Sequence, residues 1–213
     1  MQRNANPTRD RILDTAQERV LATGFAGMSI DQLVQRTGLT KGAFFHHFRS
    51  KADLALALVE RFAGQDLDLL GEMLARAERL ARDPRQQLLV FVGLYIELFE
   101  GLSEPPAGCL LASYCYEHEL FDDQVKAVCT RNFLTWRDRL GRKIREAMAL
   151  YPPRLSVDAD SLADGFTAAI EGAFVLSRGT HEPDVVARQL THYRNYLELL
   201  LGSPGAQVPG TNM

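Results

Sequence analysis

Apolar residues recur at intervals of three and four positions along nearly the whole chain, and this helical period is what most limits the possible folds. An early example is a set of five residues that share one helix face: Ile12, Leu13, Ala16, Val20 and Leu21. We find no segment with the alternation of a half-buried strand, and no internal repeat. The pattern therefore predicts an all-α protein.

Glycines, prolines and capping residues divide this pattern into nine segments. The expected helices are about 8–23, 29–37, 40–48, 51–82, 84–100, 109–119, 123–149, 158–178 and 184–201. We expect Thr8 to cap the first helix, and Ser29 with Gln32 to form a capping box on the second. The domain prediction is a three-helix head over 1–50, a larger helical body over 51–201, and a disordered tail over 202–213.

The second and third helices are separated by only Gly38 and Leu39, with Thr40 as the cap of the third helix. A glycine-containing turn this short is typical of a helix-turn-helix. It forces the two helices to cross steeply, so the third helix protrudes and can enter the major groove of DNA.

Charge is distributed unevenly along the chain. Residues 1–51 contain eight Lys and Arg but four Asp and Glu, a net charge of +4, whereas the whole chain carries −3. A basic head on an acidic body indicates a nucleic-acid-binding segment joined to a part with another role. The alternative is an ordinary three-helix subdomain with a solvated basic face.

The stretch GFAGMSIDQLVQRTGLTKGAFFHHFRSKADL, Gly24 to Leu54, resembles the DNA-binding signature of the TetR family of bacterial transcriptional regulators. The shared features are Gly-Phe before the second helix, Ser at its cap, Gly-Leu-Thr in the turn, Lys-Gly, His-Phe and Ser-Lys. The resemblance implies a homodimer that binds a double-stranded DNA operator, with a small-molecule effector bound in the helical body.

The third helix and its flanks supply the candidate DNA contacts. The N–H groups of its first turn favour an anion, and a glycine there lets the backbone approach a phosphate closely. Phe44 and Phe48 are four residues apart and should face inward. The predicted DNA-binding residues are Ser29, Thr40, Lys41, Gly42, Phe45, His46, His47 and Lys51.

Two of these predictions, Phe45 and His47, carry a qualification. The family usually has Tyr where this chain has Phe45, which cannot donate a hydrogen bond to phosphate but can contact a thymine methyl group. His47 could instead be a packed structural residue. Lys51, at the start of the fourth helix, is placed to clamp a phosphate.

A single helix-turn-helix reads only a few base pairs, so we expect a dimer. The last two helices have wide apolar faces that could form a four-helix bundle across a two-fold axis. The predicted dimerisation residues are Phe166, Ile170, Phe174, Leu190, Tyr193 and Leu197. The alternative is that these faces close the core of the monomer.

Polar-tipped residues on the middle helices suggest a ligand pocket, because a few polar groups in an apolar cavity are typical of small-molecule sites. The family resemblance implies an effector pocket in this region, and we expect a small apolar or aromatic effector. The predicted pocket residues are Phe91, Tyr95, Cys109, Tyr114, Glu117 and Trp136. The alternative is core, because an aromatic stripe of this kind more often packs in a core than lines a pocket.

The three cysteines have neither an even number nor C-x-x-C spacing, which argues against a disulfide framework or a zinc site. Gly108-Cys109-Leu110 resembles the motif of the electrophile-sensing, N-ethylmaleimide-type repressors of the family. The start of a helix lowers a thiol pKa. The alternatives are a thiol-sensing repressor acting through Cys109, or three small buried hydrophobic residues.

Other classes of protein fit the sequence poorly. No Glu has a His three residues later, and no P-loop, G-x-S-x-G or H-E-x-x-H motif occurs. We expect no enzyme, no cofactor and no metal. A protein-interaction adaptor would leave the basic head unexplained. The apolar run Leu88–Leu98 is too short to cross a bilayer, so we expect a cytoplasmic protein without a membrane partner.

Overall fold

The computed structural model describes residues 6–202, and across that range all regular secondary structure is helical, as predicted. The predicted disordered tail lies outside the described residues, except for Gly202. The helices are α1 Pro7–Thr23, α2 Ile30–Thr37, α3 Lys41–His47, α4 Lys51–Leu80, α5 Pro84–Phe99, α6 Leu110–Tyr116, α7 Asp123–Leu150, α8 Ala159–Thr180 and α9 Val185–Leu200.

Local capping chemistry determines where the first three helices begin. The predicted capping box is present on α2: the Gln32 N–H donates to Ser29 Oγ and the Ser29 N–H donates to Gln32 Oε1, both at 3.2 Å. Thr40 caps α3 by accepting from the Ala43 N–H at 3.1 Å. On α1 the cap is Asn6 instead of the predicted Thr8, because Pro7 can occupy the first helical position.

The sixth helix is shorter than predicted. The α-helical part of this segment ends at Tyr116, and a single 3₁₀ turn follows over His118–Leu120. The sequence pattern did not separate the two, because a 3₁₀ turn places apolar residues at nearly the same spacing as an α-helix.

The described chain packs as two compact units. The head unit contains the described residues up to Asp66 together with Ala107–Asn132, and the body unit contains Leu67–Pro106 and the residues from Phe133 onward. The head unit therefore includes α1–α3, the first half of α4, α6 and the start of α7. The head unit is larger than the predicted domain of residues 1–50, because α6 packs against α1 and belongs to the same unit.

The head unit has its own core beneath α3. Phe44 and Phe48 are each 1% exposed, and their ring centroids lie 5.8 Å apart, which confirms that they face inward. The other large apolar side chains buried in this unit include Ile12, Leu13, Val20, Phe25, Met28, Leu33, Leu54 and Leu58.

The body unit is built on α9, which packs against both α5 and α8. At its centre lies an aromatic cluster, which we define as Phe91, Tyr95, Trp136, Phe166 and Tyr193. Phe166 contacts all four of the other rings, with centroid distances from 5.3 to 5.8 Å. No helix within residues 6–202 has both the length and the apolar character needed to cross a membrane.

Candidate DNA-binding surface and its support

The exposed face of α3 carries a cation, a glycine, an aromatic ring and an imidazole close together. Lys41, Gly42, Phe45 and His46 are all exposed, and the Phe45 side chain is 48% exposed although it is large and apolar. The cap residue Thr40 is exposed beside them. This face combines groups that contact phosphate with a ring that can contact a base edge.

Lys41 forms an ion pair with Asp31 of α2, with 2.8 Å between Nζ and Oδ1. The two side chains are 65% and 70% exposed, and ion pairs in such an environment contribute little to stability. Lys41 can therefore exchange the carboxylate for a phosphate at small cost.

The remaining predicted contacts lie around this face. Ser29 is exposed, but its hydroxyl is used in the capping box of α2. His46 is exposed and His47 is half-buried, and their rings meet edge to face at 5.1 Å. The partial burial of His47 agrees with the alternative of a packed residue.

Lys51 is bonded within the head unit. Its ammonium group donates to the carbonyl oxygen of Phe25 at 2.8 Å and lies 4.5 Å from the centroid of the Phe25 ring. Burial lowers the pKa of Lys51, while the negative charge of Glu117 opposes that shift. The residue predicted to clamp a phosphate thus holds the turn between α1 and α2.

Glu117, just after α6, holds the same turn from the other side. Its carboxylate accepts two backbone hydrogen bonds, from the Phe25 N–H at 2.6 Å and from the Ala26 N–H at 3.1 Å. Gly24 precedes them with φ of +75°, and a Cβ there would lie 2.8 Å from Glu117 Oε1. The turn between α1 and α2 therefore requires both the glycine and the carboxylate, an arrangement that we call the Glu117 clamp.

Three aromatic rings in mutual contact support the clamp. The rings of Tyr114 and Phe121 stack with 4.2 Å between centroids, and Phe25 packs against both at 5.6 and 4.9 Å. The Tyr114 hydroxyl donates to the carbonyl oxygen of Ala55 on α4 at 3.3 Å, and burial raises the pKa of this phenol. The segment around α6 thus contacts the turn between α1 and α2 through two side chains, the Tyr114 ring and the Glu117 carboxylate.

The predicted pocket residues fall into two sets. Phe91, Tyr95 and Trp136 belong to the aromatic cluster of the body unit, whereas Cys109, Tyr114 and Glu117 belong to the head unit. Tyr114 and Glu117 already have the partners just described. Only the first three residues therefore lie in the body unit, where they pack in or against its core.

The body unit also has an open groove of about 640 Å³ along the second half of α4. It shares no residue with the predicted pocket. Its lining includes both charged and apolar side chains: Leu67, Asp68, Gly71, Glu72, Met73, Ala75, Arg76, Arg79 and Arg139.

Four of the six predicted dimerisation residues contribute to the core of the body unit instead. Phe166, Leu190 and Leu197 are fully buried, and Tyr193 is buried with its hydroxyl donating to the carbonyl oxygen of Leu162 at 2.7 Å. Ile170 and Phe174 are partly buried against that core. The large apolar side chains that α8 and α9 expose are different ones: Val175, Leu176, Tyr196 and Leu199.

The three cysteines are thiols in the head unit. Cys109 is the N-cap residue of α6 and is half-buried, without a capping bond from its side chain. Cys115 is exposed and Cys129 is buried. Among residues 6–202, no group of three His, Cys, Asp or Glu side chains is arranged to hold a metal ion.

These features define a helical DNA-binding regulator. Residues 12–58 match the family model described as bacterial regulatory proteins, tetR family, and residues 84–193 match the model described as tetracyclin repressor-like, C-terminal domain. The chain belongs to the TetR family. It is a TetR-type transcriptional regulator and not an enzyme, as the sequence resemblance predicted.

Individual relatives agree with this assignment. The transcriptional regulator AcuR of Cereibacter sphaeroides is 27% identical over 183 residues, covering 85% of this chain and 81% of AcuR. A TetR-family regulator from Agrobacterium tumefaciens has the same fold, with a TM-score of 0.76, 22% identity, and coverage of 92% and 98% of the two chains. The reduced form of Escherichia coli NemR gives a TM-score of 0.75 at 21% identity, covering 94% and 100%.

Substitution of the clamp carboxylate should loosen the turn between α1 and α2. In Glu117→Gln the uncharged amide keeps only one acceptor, so we expect a loss of about 1–3 kcal/mol in the free energy of unfolding of the head unit. Amide hydrogen exchange should accelerate at Phe25 and Ala26. The matched control is Glu119→Gln, because Glu119 is exposed and its carboxylate lies 2.8 Å from the exposed His118 ring instead of contacting the turn. Unchanged exchange at Phe25 and Ala26 in Glu117→Gln would contradict the clamp.

Proposed function

We propose that this regulator is a repressor that binds operator DNA as a homodimer through α3 and leaves it when a small apolar or aromatic effector binds the body unit. The observation that carries the proposal is the exposed face of α3, with Lys41, Gly42, Phe45 and His46 standing over the buried Phe44 and Phe48. NemR, which is 36% identical over 76 residues, is itself named a transcriptional repressor. A repressor of this kind acts on DNA in the cytoplasm.

The α3 surface supports groove binding on electrostatic grounds as well. Phosphate contacts release condensed counterions, so each one contributes to the salt dependence of the affinity. Lys41 is exposed at the first turn of α3, where backbone N–H groups also favour an anion. Phe45 offers an apolar surface that can distinguish thymine by its methyl group.

Removal of the Lys41 charge should weaken operator binding through one lost phosphate contact. For Lys41→Ala we expect the slope of log K against log salt concentration to fall in magnitude by about one. The measurement is fluorescence anisotropy with an operator duplex selected from random DNA. The control is Lys126→Ala, which removes the same charge from α7 in the head unit. If the slope of log K against log salt concentration is the same for Lys41→Ala and the parent protein, Lys41 does not contact a DNA phosphate.

The exposed faces of α8 and α9 support the homodimer. On α8, Ala168, Gly172, Val175 and Gly179 follow helical spacing and are all exposed. A Cβ added at Gly172 or Gly179 would meet no atom within 4 Å, so another helix could approach the backbone closely. Exposed apolar faces of this kind are typical of association surfaces.

A charge in this face should separate the subunits. Leu199 on α9 is 69% exposed, and in Leu199→Asp we expect the dimer to dissociate because a carboxylate would be buried without a partner. Sedimentation velocity measures the mass directly. Leu80→Asp is the control, since Leu80 at the end of α4 is 62% exposed and lies outside α8 and α9. A Leu199→Asp protein that sediments as a dimer would place the interface on another surface.

Three predicted pocket residues, Phe91, Tyr95 and Trp136, lie in the aromatic cluster and support an effector site in the body unit. The rings of the cluster pack at angles from stacked to edge to face, and apolar walls with few polar groups suit a small aromatic ligand. We propose that the ligand separates these rings and shifts α4, which contributes residues to both units. The spacing of the two α3 helices in the dimer then changes, and the ligand shifts the equilibrium only by its differential affinity for the two states.

Trp136 is the only tryptophan in the chain, so its fluorescence reports on the aromatic cluster. A compound that releases the protein from operator DNA should also change the Trp136 emission, with the same concentration dependence. Tyr95→Phe should raise the effector Kd if the ligand uses that hydroxyl, whereas Tyr116→Phe, on an exposed side chain, should leave the Kd unchanged. A releasing compound without any effect on Trp136 would move the effector site elsewhere, for example to the groove along α4.

A further inference from the structure

The open groove of the body unit follows one face of α4. It runs from Leu67 to Arg79, which is roughly 18 Å at about 1.5 Å per residue, and its volume is about 640 Å³. Small-molecule sites typically have volumes of about 300–1,000 Å³. The groove shares no residue with the aromatic cluster, so a ligand in the groove occupies a different place from the effector proposed above.

Arg139 of α7 reaches across to α4 at this groove. Its Nη1 donates to the carbonyl oxygen of Leu67 at 3.2 Å and lies 3.8 Å from the position that a Cβ on Gly71 would take. The half-buried guanidinium therefore rests against the backbone of α4. Within residues 6–202 this is the one hydrogen bond of the Arg139 side chain, whereas a guanidinium has five N–H donors. Donors therefore remain for a ligand.

Two arginines of α4 line the groove further along the helix. Arg79 is exposed, and its guanidinium forms no hydrogen bond or ion pair with another residue of the described range. Arg76 approaches Glu97 of α5 only to 3.9 Å, and these two side chains are 52% and 64% exposed. An exposed ion pair at this distance contributes little, so Arg76 is available to another anion.

Two carboxylates in the same groove, Asp68 and Glu72, limit the charge that a ligand can carry. Three guanidinium groups against two carboxylates give the lining a net charge of +1, which a single negative charge balances. A second negative charge on the ligand would be repelled by the two carboxylates. The rest of the lining includes the apolar side chains of Leu67, Met73 and Ala75. The groove therefore suits a ligand with one negative charge and an apolar part.

We propose that the groove along α4 binds a small organic monoanion, a monocarboxylate with a short apolar chain. The planar guanidinium of Arg139 matches a carboxylate, which it can hold by two parallel N–H···O bonds. Arg76 and Arg79 add electrostatic attraction, and the apolar chain contacts the apolar part of the lining. This site goes beyond the effector site in the aromatic cluster and does not depend on DNA binding.

Met73 gives a direct readout, because its side chain lines the groove. The test is an NMR titration of the full-length protein, with isotopically labelled methionine methyl groups, using butyrate, hexanoate and octanoate; Met73→Leu identifies the Met73 signal. We expect a saturable shift of that signal, while the signal of Met28, buried in the head unit, stays in place. Each added CH₂ group should tighten binding by up to about fourfold.

Two further compounds separate the effect of charge from that of the chain. Hexanamide keeps the chain of hexanoate but has no charge, so its Kd should be about tenfold higher or more, because charge-assisted hydrogen bonds are lost. Adipate has a second carboxylate at the far end of a similar chain and should also bind more weakly than hexanoate. Glu72→Gln should narrow the difference between adipate and hexanoate, because one repelling charge of the groove is removed.

Substitutions of the arginines test the site itself. Arg139→Gln should raise the Kd of hexanoate about tenfold or more, and Arg139→Lys should recover only part of the loss, because an ammonium group lacks the planar fork. Arg79→Gln should raise the Kd about two- to fivefold, and since Arg79 is exposed without a protein partner, the fold does not depend on it. The control is Arg142→Gln, which removes the same charge from α7 outside the groove and should leave the Kd unchanged.

Each contrary result overturns a defined part of the proposal. Absence of a saturable Met73 shift with all three carboxylates overturns the site. Equal Kd values for hexanoate and hexanamide, or an unchanged Kd in both Arg139→Gln and Arg79→Gln, overturn the role of the arginines. Adipate that binds as tightly as hexanoate overturns the preference for a monoanion. These titrations contain no DNA, so they decide the proposal whether or not the protein binds an operator.

Discussion

The DNA-binding helices depend on one interaction, the pair of hydrogen bonds that Glu117 accepts from the Phe25 and Ala26 N–H groups. Both N–H groups belong to the turn between α1 and α2, where the backbone cannot satisfy them itself. Lys51 binds the Phe25 carbonyl oxygen from the other side. A carboxylate, an ammonium group and a glycine thus determine the direction in which α2 leaves α1. Since only Gly38, Leu39 and Thr40 separate α2 from α3, the orientation of the exposed face of α3 depends on the same turn.

This arrangement explains why a TetR-type regulator uses a segment distant in sequence to support its head. Three short helices bury little apolar surface alone, and small domains are correspondingly marginal. Tyr114 and Phe121 extend the head core through their contacts with Phe25, and Tyr114 reaches the carbonyl oxygen of Ala55. Any event that displaces the end of α6 therefore acts on the DNA-binding helices through direct contacts.

The features that depend on local interactions could be predicted from the sequence. Within residues 6–202, the nine α-helices, the capping box of Ser29 and Gln32, and the inward faces of Phe44 and Phe48 follow from residues within one or two helical turns of each other. The resemblance around Gly24 to Leu54 correctly predicted the family. The period of apolar residues also predicted buried faces on α8 and α9, but a period does not show whether a face meets the same chain or a second copy. Phe166, Leu190 and Leu197 consequently proved to be core.

Long-range polar contacts could not be predicted in this way. Glu117 lies more than ninety residues from Phe25, and the only local sign was Gly24, which follows the predicted end of the first helix at residue 23. Tyr114 and Glu117 were assigned to a pocket because buried polar groups need partners, and the partners turned out to be backbone groups of the head unit.

Amide hydrogen exchange of the protein with and without a selected operator duplex shows most directly which surface binds DNA. We propose that the exposed face of α3, beginning at Lys41 and Gly42, reads the DNA. Exchange should then slow on operator binding at the amides of the first turn of α3, while the body unit is unaffected outside any subunit interface. Tight operator binding without any change of exchange in α3 would contradict the claim and place the DNA on another surface.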